Sequence, residues 1–122
     1  MISVDFETEE PFVVGQEVAG VVTWDPRNVT RARSFQIAVR WRTEGRGDRD
    51  EGTIARVDIP LPEGPPAAVT KYPFRFAIPP EGPVTYFGRL IRIIWEVEAR
   101  VDIEWAIDPN TKVSFTVVPR LL

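Results

Sequence analysis

Residues 74–105 read FRFAIPPEGPVTYFGRLIRIIWEVEARVDIEW. From Leu90 to Trp105 apolar and polar residues alternate, which is the period of a half-buried β-strand. The apolar set is Ile91, Ile93, Trp95, Val97, Ala99, Val101, Ile103 and Trp105. At about 3.3 Å per residue this strand would span about 50 Å, which exceeds the usual strand length. We therefore expect one long strand that forms the spine of the fold and that bends, or crosses between two sheets, at a bulge.

The same alternation recurs along the whole chain, and no segment keeps the period of a helix. The chain has 12 prolines and 8 glycines, which separate the alternating segments at short intervals. Further strands are predicted at Ile2–Phe6, Glu17–Trp24, Phe35–Trp41, Thr53–Leu61, Lys71–Ile78 and Val113–Val118. Each strand has one apolar face, as in antiparallel sheets. The sequence therefore predicts an all-β, two-layer antiparallel sandwich of immunoglobulin-like type with about seven to eight strands, formed by residues 1–122 as a single domain.

The amino-acid composition excludes several classes of function. The chain contains no cysteine and no histidine, so thiolate metal sites and Ser-His or Cys-His catalytic pairs are impossible. The formal net charge is −3, which disfavours general nucleic-acid binding because that affinity grows with the number of basic contacts. We therefore expect a protein that is not an enzyme, that needs no cofactor or metal, and that does not bind nucleic acid.

The sequence contains neither a membrane span nor a secretion signal. No apolar run approaches the roughly 20 residues that cross a bilayer. The N-terminus, MISVDFETEE, is acidic and lacks the basic start and the long apolar segment of a secretory signal. We therefore expect a cytoplasmic protein without an integral membrane segment.

Charge is distributed unevenly over the first third of the chain. Residues 1–25 carry six acidic residues and no basic residue, whereas residues 27–42 carry five arginines and no acidic residue. One interpretation is that the two segments neutralise each other across the fold. The alternative is that the arginines form an anion-binding face.

A charged, glycine-rich segment, EGRGDRDEG at residues 44–52, is predicted to be a hairpin tip. Within it, Arg46-Gly47-Asp48 spells the integrin-binding tripeptide, although a solvated turn explains these residues equally well. Asp48, Asp50 and Glu51 could bind calcium, but their spacing lacks a complete calcium-binding loop. We therefore favour a solvated loop for both patterns.

Two carboxylates, Glu96 and Glu98, share one face of the predicted long strand. Paired carboxylates can perform acid–base chemistry when a cleft raises the pKa of one of them. Here Arg92 and Arg100 flank the pair, so we expect cross-strand salt bridges instead of a catalytic site.

Four tryptophans raise the question of a platform that stacks sugar rings. Trp41, Trp95 and Trp105 are in phase with aliphatic neighbours, which predicts that they pack in the core. Trp24 lies near a strand end and is predicted to be partly exposed. An alternative function is therefore a carbohydrate-binding β-sandwich module. The aromatic residues that would form its binding strip are Trp24, Tyr72 and Tyr86.

The order of these patterns resembles the N-terminal domain of arrestins and arrestin-related proteins. That family shows an F-x-F-x-[IL]-P strand, a proline-containing loop, Y/F-x-G before a long strand of the type I-x-[YW]-x-V-x-A, and a closing F-x-V-x-P strand. The corresponding residues are Phe74, Phe76, Ile78, Pro79, Tyr86, Gly88, Ile93, Trp95, Val97, Ala99, Phe115, Val117 and Pro119. Residues 13–24, VVGQEVAGVVTW, are similar to the family's G-e-x-V-x-G-x-V strand. Gly15 and Gly88 precede strands, where we expect positive φ angles.

The resemblance implies an arrestin-like sandwich, in a single-domain bacterial relative, that serves as a protein-interaction or scaffold module. Arrestins pair two such sandwiches, and this sequence contains one. Receptor-binding arrestins carry basic residues near the first strand, whereas this strand carries Asp5, Glu7, Glu9 and Glu10. Recognition of receptor phosphates is therefore not expected. Pro65-Pro66 is followed by two alanines, so the Pro-Pro-x-Tyr motif by which some relatives recruit ubiquitin ligases is missing.

We expect affinity for a protein partner, or for further copies of the chain, to come from strand edges and loops. The first strand and the closing strand are candidate edges because they lie near the ends of the sequence. The closing strand is uncharged, and Val117-Val118 together with Leu121-Leu122 forms an apolar tail that a partner could cover. The predicted interaction edge consists of Val113, Phe115, Thr116, Val117 and Val118.

Overall fold

A computed structural model describes residues 1–27, 29–47 and 49–120. In these ranges the chain forms strands and loops and no helix, and hence no helix that could cross a membrane. The strands are β1 (Ile2–Phe6), β2 (Phe12–Val13), β3 (Glu17–Trp24), β4 (Ser34–Gly45), β5 (Glu51–Pro60), β6 (Thr70–Ala77), β7 (Tyr86–Phe87), β8 (Ile91–Asp102), β9 (Asn110–Phe115) and β10 (Val117–Val118). β2, β7 and β10 are only two residues long, so seven longer strands remain and the predicted all-β fold is confirmed.

Two sheets pack face to face around one core. The small sheet has the order β1-β3-β6, and all its strands are antiparallel. The large sheet has the order β5-β4-β8-β7, and β9 pairs with β8 on the same side as β7. β2 and β10 form a short parallel pair beside the two sheets.

The predicted spine is β8, which is shorter than expected because it ends at Asp102. Its pairing with β4 runs without a register shift from Gly45↔Ile91 to Ser34↔Asp102. β8 therefore stays in one sheet, and the expected bulge or crossing in this strand was wrong. The physical reason is that β4 is equally long, so one partner supports the whole strand. The bulge lies instead between β4 and β5, at Val39/Arg40.

The core lies between the two sheets and follows the predicted alternation closely. β8 contributes Trp95, Val97, Ala99 and Val101, and β4 contributes Phe35, Ile37 and Val39, all of them buried. The small sheet contributes Val18, Val22, Trp24, Phe74 and Phe76. The indole N–H of Trp95 donates a hydrogen bond to the carbonyl oxygen of Pro83 at 2.8 Å, so its polar group is satisfied.

For two tryptophans the observed burial is the reverse of the predicted burial. Trp24 is only 1% exposed and stacks on Phe35 with ring centroids 4.9 Å apart, because it shares the inward phase of Val22. Trp105 is 94% exposed, because the chain leaves β8 after Asp102 and turns, with a φ of 62° at Trp105. The alternation in sequence continues past the end of the strand and therefore misassigned this residue.

The two long sides of the sandwich differ. On the side formed by β1, β2, β9 and β10, which we call the closed side, the hydroxyl of Thr111 in β9 donates to the carbonyl oxygen of Ile2 in β1 at 3.0 Å. On the side formed by β5 and β6, which we call the open side, no strand pairing joins the two sheets within the described ranges. The outer edges of β5 and β6 are therefore available to another chain.

Candidate interaction surface

Two hairpins meet at one end of the large sheet. The last pair of the β4–β8 ladder is Gly45↔Ile91, and the backbone N–H of Arg46 donates to the carbonyl oxygen of Leu90 at 2.9 Å. Gly45 has a φ of 127°, and a Cβ there would lie 2.1 Å from the Leu90 oxygen. Only glycine fits at this position. It allows the β4–β5 hairpin to pack against the turn between β7 and β8.

This end of the sheet exposes four large apolar side chains that are close together in sequence. Tyr86, Phe87, Leu90 and Ile91, which we call the apolar tip, are between 37% and 70% exposed. Clusters of this kind commonly mark interaction sites. Gly88 supports the cluster, because a Cβ there would lie 2.3 Å from the ring of Tyr86. The predicted positive φ is confirmed at Gly15, at 86°, but is not found at Gly88, where the close approach of the ring is the reason for glycine.

Four exposed arginines surround the apolar tip: Arg46, Arg49, Arg89 and Arg92. In the part of the chain that the structure describes, none of the four lies within salt-bridge distance of a carboxylate. Two of these arginines affect a neighbouring carboxyl group. The pKa of Glu44 is lowered mainly by its hydrogen bond to Arg42 and, more weakly, by the charges of Arg92 and Arg49.

Two adjoining depressions lie beside the apolar tip. The larger, of about 600 Å³, is lined by Arg42, Thr43, Glu44, Gly45, Arg49, Asp50 and Glu51. The smaller, of about 240 Å³, is lined by Glu44, Gly45, Gly88, Arg89, Leu90, Ile91 and Arg92. Both are lined in part by Glu44 and Gly45, so they lie beside the same end of β4. Arginine, which is among the residue types enriched in protein–protein interfaces, lines both depressions.

The tripeptide and the calcium pattern lie in this same hairpin. Arg46 and Gly47 directly follow β4, while Asp48 lies outside the described residues. Glu51 forms a salt bridge with Arg40 at 2.7 Å. Across the described ranges, no three acidic side chains are grouped in a way that could hold a metal ion.

Glu96 and Glu98 lie on the outer face of the large sheet, where salt bridges form with other partners than expected. Glu96 is 2% exposed, and its two carboxylate oxygens lie 3.4 Å from Nε of Arg40 and 3.3 Å from Nε of Arg42. The two carboxylate oxygens of Glu98 lie 3.8 Å from Nη1 of Arg40 and 3.8 Å from Nζ of Lys112. The expected cross-strand salt bridges are present, but β4 and β9 supply the partners in place of Arg92 and Arg100.

Arg100, one of the two expected partners, instead donates through Nε to the side-chain oxygen of Gln36 at 3.1 Å. Its Nε also lies 3.7 Å from a carboxylate oxygen of Asp108. Arg92, the other expected partner, belongs to the rim of the apolar tip.

The acidic segment at residues 1–25 and the basic segment at residues 27–42 do not neutralise each other across the fold. In the described ranges they share one salt bridge, at the point where they meet. Asp25 pairs with Arg27 at 2.7 Å, and this contact lowers the pKa of the Asp25 carboxyl, chiefly through the hydrogen bond from the Arg27 side chain. Arg33 instead pairs with Asp102 in β8 at 2.9 Å. Glu7 pairs with Arg75 in β6 at 3.3 Å. Arg33 and Glu7 thus find their partners outside the two segments, and only Asp25 and Arg27 pair between them.

The predicted interaction edge lies on the closed side. Val113 and Phe115 belong to β9 and pair with β8, and Phe115 is buried. Val117 and Val118 pair with β2, and the N–H of Val117 donates to the Thr85 hydroxyl at 2.8 Å. Leu121 and Leu122 lie outside the described residues. The use of this strand as an edge for a partner stays a prediction, and part of it already pairs within the chain.

Comparison with known proteins agrees with this architecture. Residues 60–121, half of the chain, match the family described as arrestin (or S-antigen), N-terminal domain. The chain therefore belongs to the arrestin N-terminal domain family.

Among solved structures, the chain is similar to Spo0M, the sporulation control protein from Bacillus subtilis, with a TM-score of 0.69 and 22% sequence identity. The similarity covers 95% of this chain and 48% of that chain, so this chain spans about half the length of Spo0M. At this identity the likeness shows a shared fold. A search of curated protein sequences gave no match.

Proposed function

We propose that the chain is a non-enzymatic interaction module of arrestin type that binds a protein partner through the apolar tip and its surrounding arginines. The observation that carries this proposal is the exposure of Tyr86, Phe87, Leu90 and Ile91 on a rigid scaffold. Membership of the arrestin family supports an interaction module in general.

The chemistry of the surface indicates the kind of partner. Burial of the exposed apolar side chains by a partner would lower the free energy of the complex. The guanidinium groups of Arg46, Arg49, Arg89 and Arg92 would bind carboxylates through charge-assisted hydrogen bonds. An acidic segment with a few large apolar residues satisfies both requirements. Such a partner would lie across the apolar tip, with its carboxylates near the four arginines.

The carbohydrate-binding alternative has less support. Trp24 lies in the core, and Tyr72 packs against Phe35 with ring centroids 4.9 Å apart. Of the three aromatic residues in the predicted strip, only Tyr86 lies on the surface. Sugar-binding platforms need several coplanar rings on one exposed face, so these positions do not supply one.

The proposal is tested by affinity capture from cell lysate with three forms of the chain in parallel, followed by mass spectrometry. The tip variant carries Phe87→Ser and Leu90→Ser. The matched control carries Trp105→Ser and Ile107→Ser, which likewise removes one exposed aromatic and one exposed aliphatic residue, but from the other end of β8. We expect a protein with an acidic segment to be retained by the wild type and the control and lost from the tip variant, with retention decreasing at high salt.

Three results would contradict the proposal. The first is capture of the same proteins by all three forms. The second is loss of binding in the control variant alone, which would place the site at the Trp105 end. The third is binding to vesicles of anionic phospholipid that is abolished in the tip variant, because the surface would then recognise a membrane.

A further inference from the structure

The strand β5 is the least covered strand of the large sheet. Val57 lies opposite the buried Ile37 and so belongs to the core side of the sheet, yet it is 45% exposed. Ala55 and Ile59, on the same side, are half-buried. Ala55 and Ile59 pack against the core, whereas Val57 between them is left largely uncovered.

The edge of β5 is long and regular enough to pair with another strand. β5 has 10 residues and pairs with β4 alone among the described strands. Its outward N–H and C=O groups therefore lack a strand partner, which is the usual template for strand addition. The irregularity at Val39/Arg40 places the extra residue, Ile54, near the start of the strand. The ladder from Ala55 to Ile59 is continuous.

The sequence of β5 is complementary to itself in one antiparallel register. When Val57 lies opposite Val57 of a second copy, Arg56 lies opposite Asp58 and Ala55 lies opposite Ile59, each twice. Arg56 and Asp58 are both on the outer face and exposed, and they form a salt bridge within the strand at 3.1 Å. Pairing would replace this contact with two charge pairs between copies and would cover the exposed apolar face on the core side.

We propose that two copies of this chain associate through β5, antiparallel about Val57, to form one continuous sheet across a two-fold axis. Such an interface is isologous, because the same residues contribute from both copies. The charges fix the register. Shifting the pairing by two residues places Arg56 opposite Arg56 in one direction and Asp58 opposite Asp58 in the other, and like charges directly opposite each other destabilise a sheet.

The surface is separate from the apolar tip. The tip lies at the β7–β8 turn, whereas the centre of the proposed dimer lies midway along β5, at Val57. A dimer would thus present two apolar tips, and a partner with two acidic segments could bind both with increased avidity.

The first test measures the oligomeric state of the 122-residue chain by sedimentation equilibrium over a range of concentrations. We expect a reversible dimer, and Val57→Lys should weaken it at least about tenfold, because two buried ammonium groups would face each other across the axis. The matched control is Val69→Lys, which places the same charge at an exposed valine in the loop between β5 and β6 and should leave the dimer unchanged.

The second test examines the register by exchanging charges. Arg56→Asp and Asp58→Arg should each abolish the dimer, because each variant has like charges opposite each other. The double variant, with both substitutions, should recover it. Mixing the two single variants should also produce a heterodimer, since the two acidic groups of one chain would then lie opposite the two basic groups of the other. None of these variants alters the core, so circular dichroism should show the same fold in all of them.

Several outcomes would overturn the proposal. One is a wild-type chain that stays monomeric at about 100 μM, a concentration at which weak dimers are normally populated. Another is a dimer that survives both single charge variants. A third is a dimer that is insensitive to Val57→Lys but lost in Thr116→Lys, which would place the contact at the closing strand.

Discussion

The closed side and the open side of the sandwich are held together by different kinds of contact. On the closed side the rings of Phe6, Phe12 and Phe115 meet with centroids 5.5–5.7 Å apart. The β2–β10 pair adds backbone hydrogen bonds there, from Phe12 to Thr116 at 2.9 Å and from Val14 to Val118 at 3.1 Å. Aromatic packing and backbone pairing thus join the two sheets directly.

On the open side, β5 is fixed to the large sheet by β4 and by charge. Arg40 in β4 bridges Glu51 in β5, at 2.7 Å, and the buried Glu96 in β8, at 3.4 Å. Among the described residues, no aromatic cluster of the closed-side kind includes a residue of β5. The two sheets are therefore joined more directly on the closed side than beside Val57. The proposed dimer surface lies where this covering is least complete.

The largest expected difference between the two sides is the cost of removing an apolar side chain. Phe115→Ala on the closed side should lower the free energy of unfolding by about 3–5 kcal/mol, because it leaves a cavity among three rings. Val57→Ala on the open side should change it by about 0.5 kcal/mol or less, since the side chain is nearly half exposed in the monomer.

Urea denaturation at low protein concentration, where the chain is monomeric, measures both values. Similar losses for the two variants would mean that the open side is as tightly packed as the closed side. The proposed difference in packing between the two sides would then be wrong.

A second difference should appear between two glycines, one in the central strand of the small sheet and one in β5. A Cβ at Gly20 in β3 would lie 2.2 Å from the backbone oxygen of Asp5 in β1, so Gly20→Ala must push two strands apart. A Cβ at Gly52 in β5 would lie 2.6 Å from the indole nitrogen of Trp41, a half-buried ring in the neighbouring β4. We expect Gly20→Ala to cost about 1–3 kcal/mol and Gly52→Ala clearly less.

Thermal unfolding of the two variants, followed by circular dichroism, checks this order. Both substitutions have the same effect on the unfolded chain, so the difference reports the folded state alone. If Gly52→Ala cost more than Gly20→Ala, the ring of Trp41 would be held rigidly and β5 would not be a loosely covered edge.

Much of the fold was predictable because each long strand carries its own inward and outward faces. The inward positions of β4 and β8 were correct from Phe35 to Val39 and from Trp95 to Val101, since a one-residue slip would expose every large side chain. Trp24 and Trp105 were misassigned because alternation does not reveal where a strand ends or which sheet covers it.

The candidate surfaces were harder to predict, because they depend on which strands become neighbours. The motif around Tyr86 was recognised as part of the family pattern, but nothing in its sequence shows that β7 is short and that Phe87 and Leu90 stay exposed. The predicted edge, the closing strand, lies on the closed side, while the exposed edge is β5. Its charged residues, Arg56 and Asp58, are complementary between two copies only in one register, which the sequence pattern does not specify.

A third difference concerns the charges that anchor the open side. Glu96→Gln removes the central negative charge between Arg40 and Arg42, both of which have other acidic partners, Glu51 and Glu44. We expect a loss of about 1–2 kcal/mol in the free energy of unfolding, as for one buried charge-assisted hydrogen bond. Hydrogen exchange should show faster exchange in β5 and little change in β9. Equal acceleration in both strands would mean that the carboxylate stabilises the whole sheet and not the open side in particular.

The smallest effect is expected at Tyr72, which covers part of the open side from β6 by stacking on Phe35. Partial burial of its phenol raises the pKa of Tyr72 above its ordinary value of 10.0, because the charged form is less well solvated there. A raised pKa in the folded state means that the stabilising contribution is complete below the unfolded pKa and is lost as pH rises through the folded pKa. Tyr86→Phe leaves Tyr72 as the only tyrosine of the chain's two, so the ultraviolet absorbance of its phenolate can be titrated alone. We expect a midpoint above that of the same chain unfolded in urea, and a free energy of unfolding that decreases over this alkaline range. A midpoint equal to the unfolded one would show that water reaches Tyr72 freely, and the open side would then extend as far as Phe35.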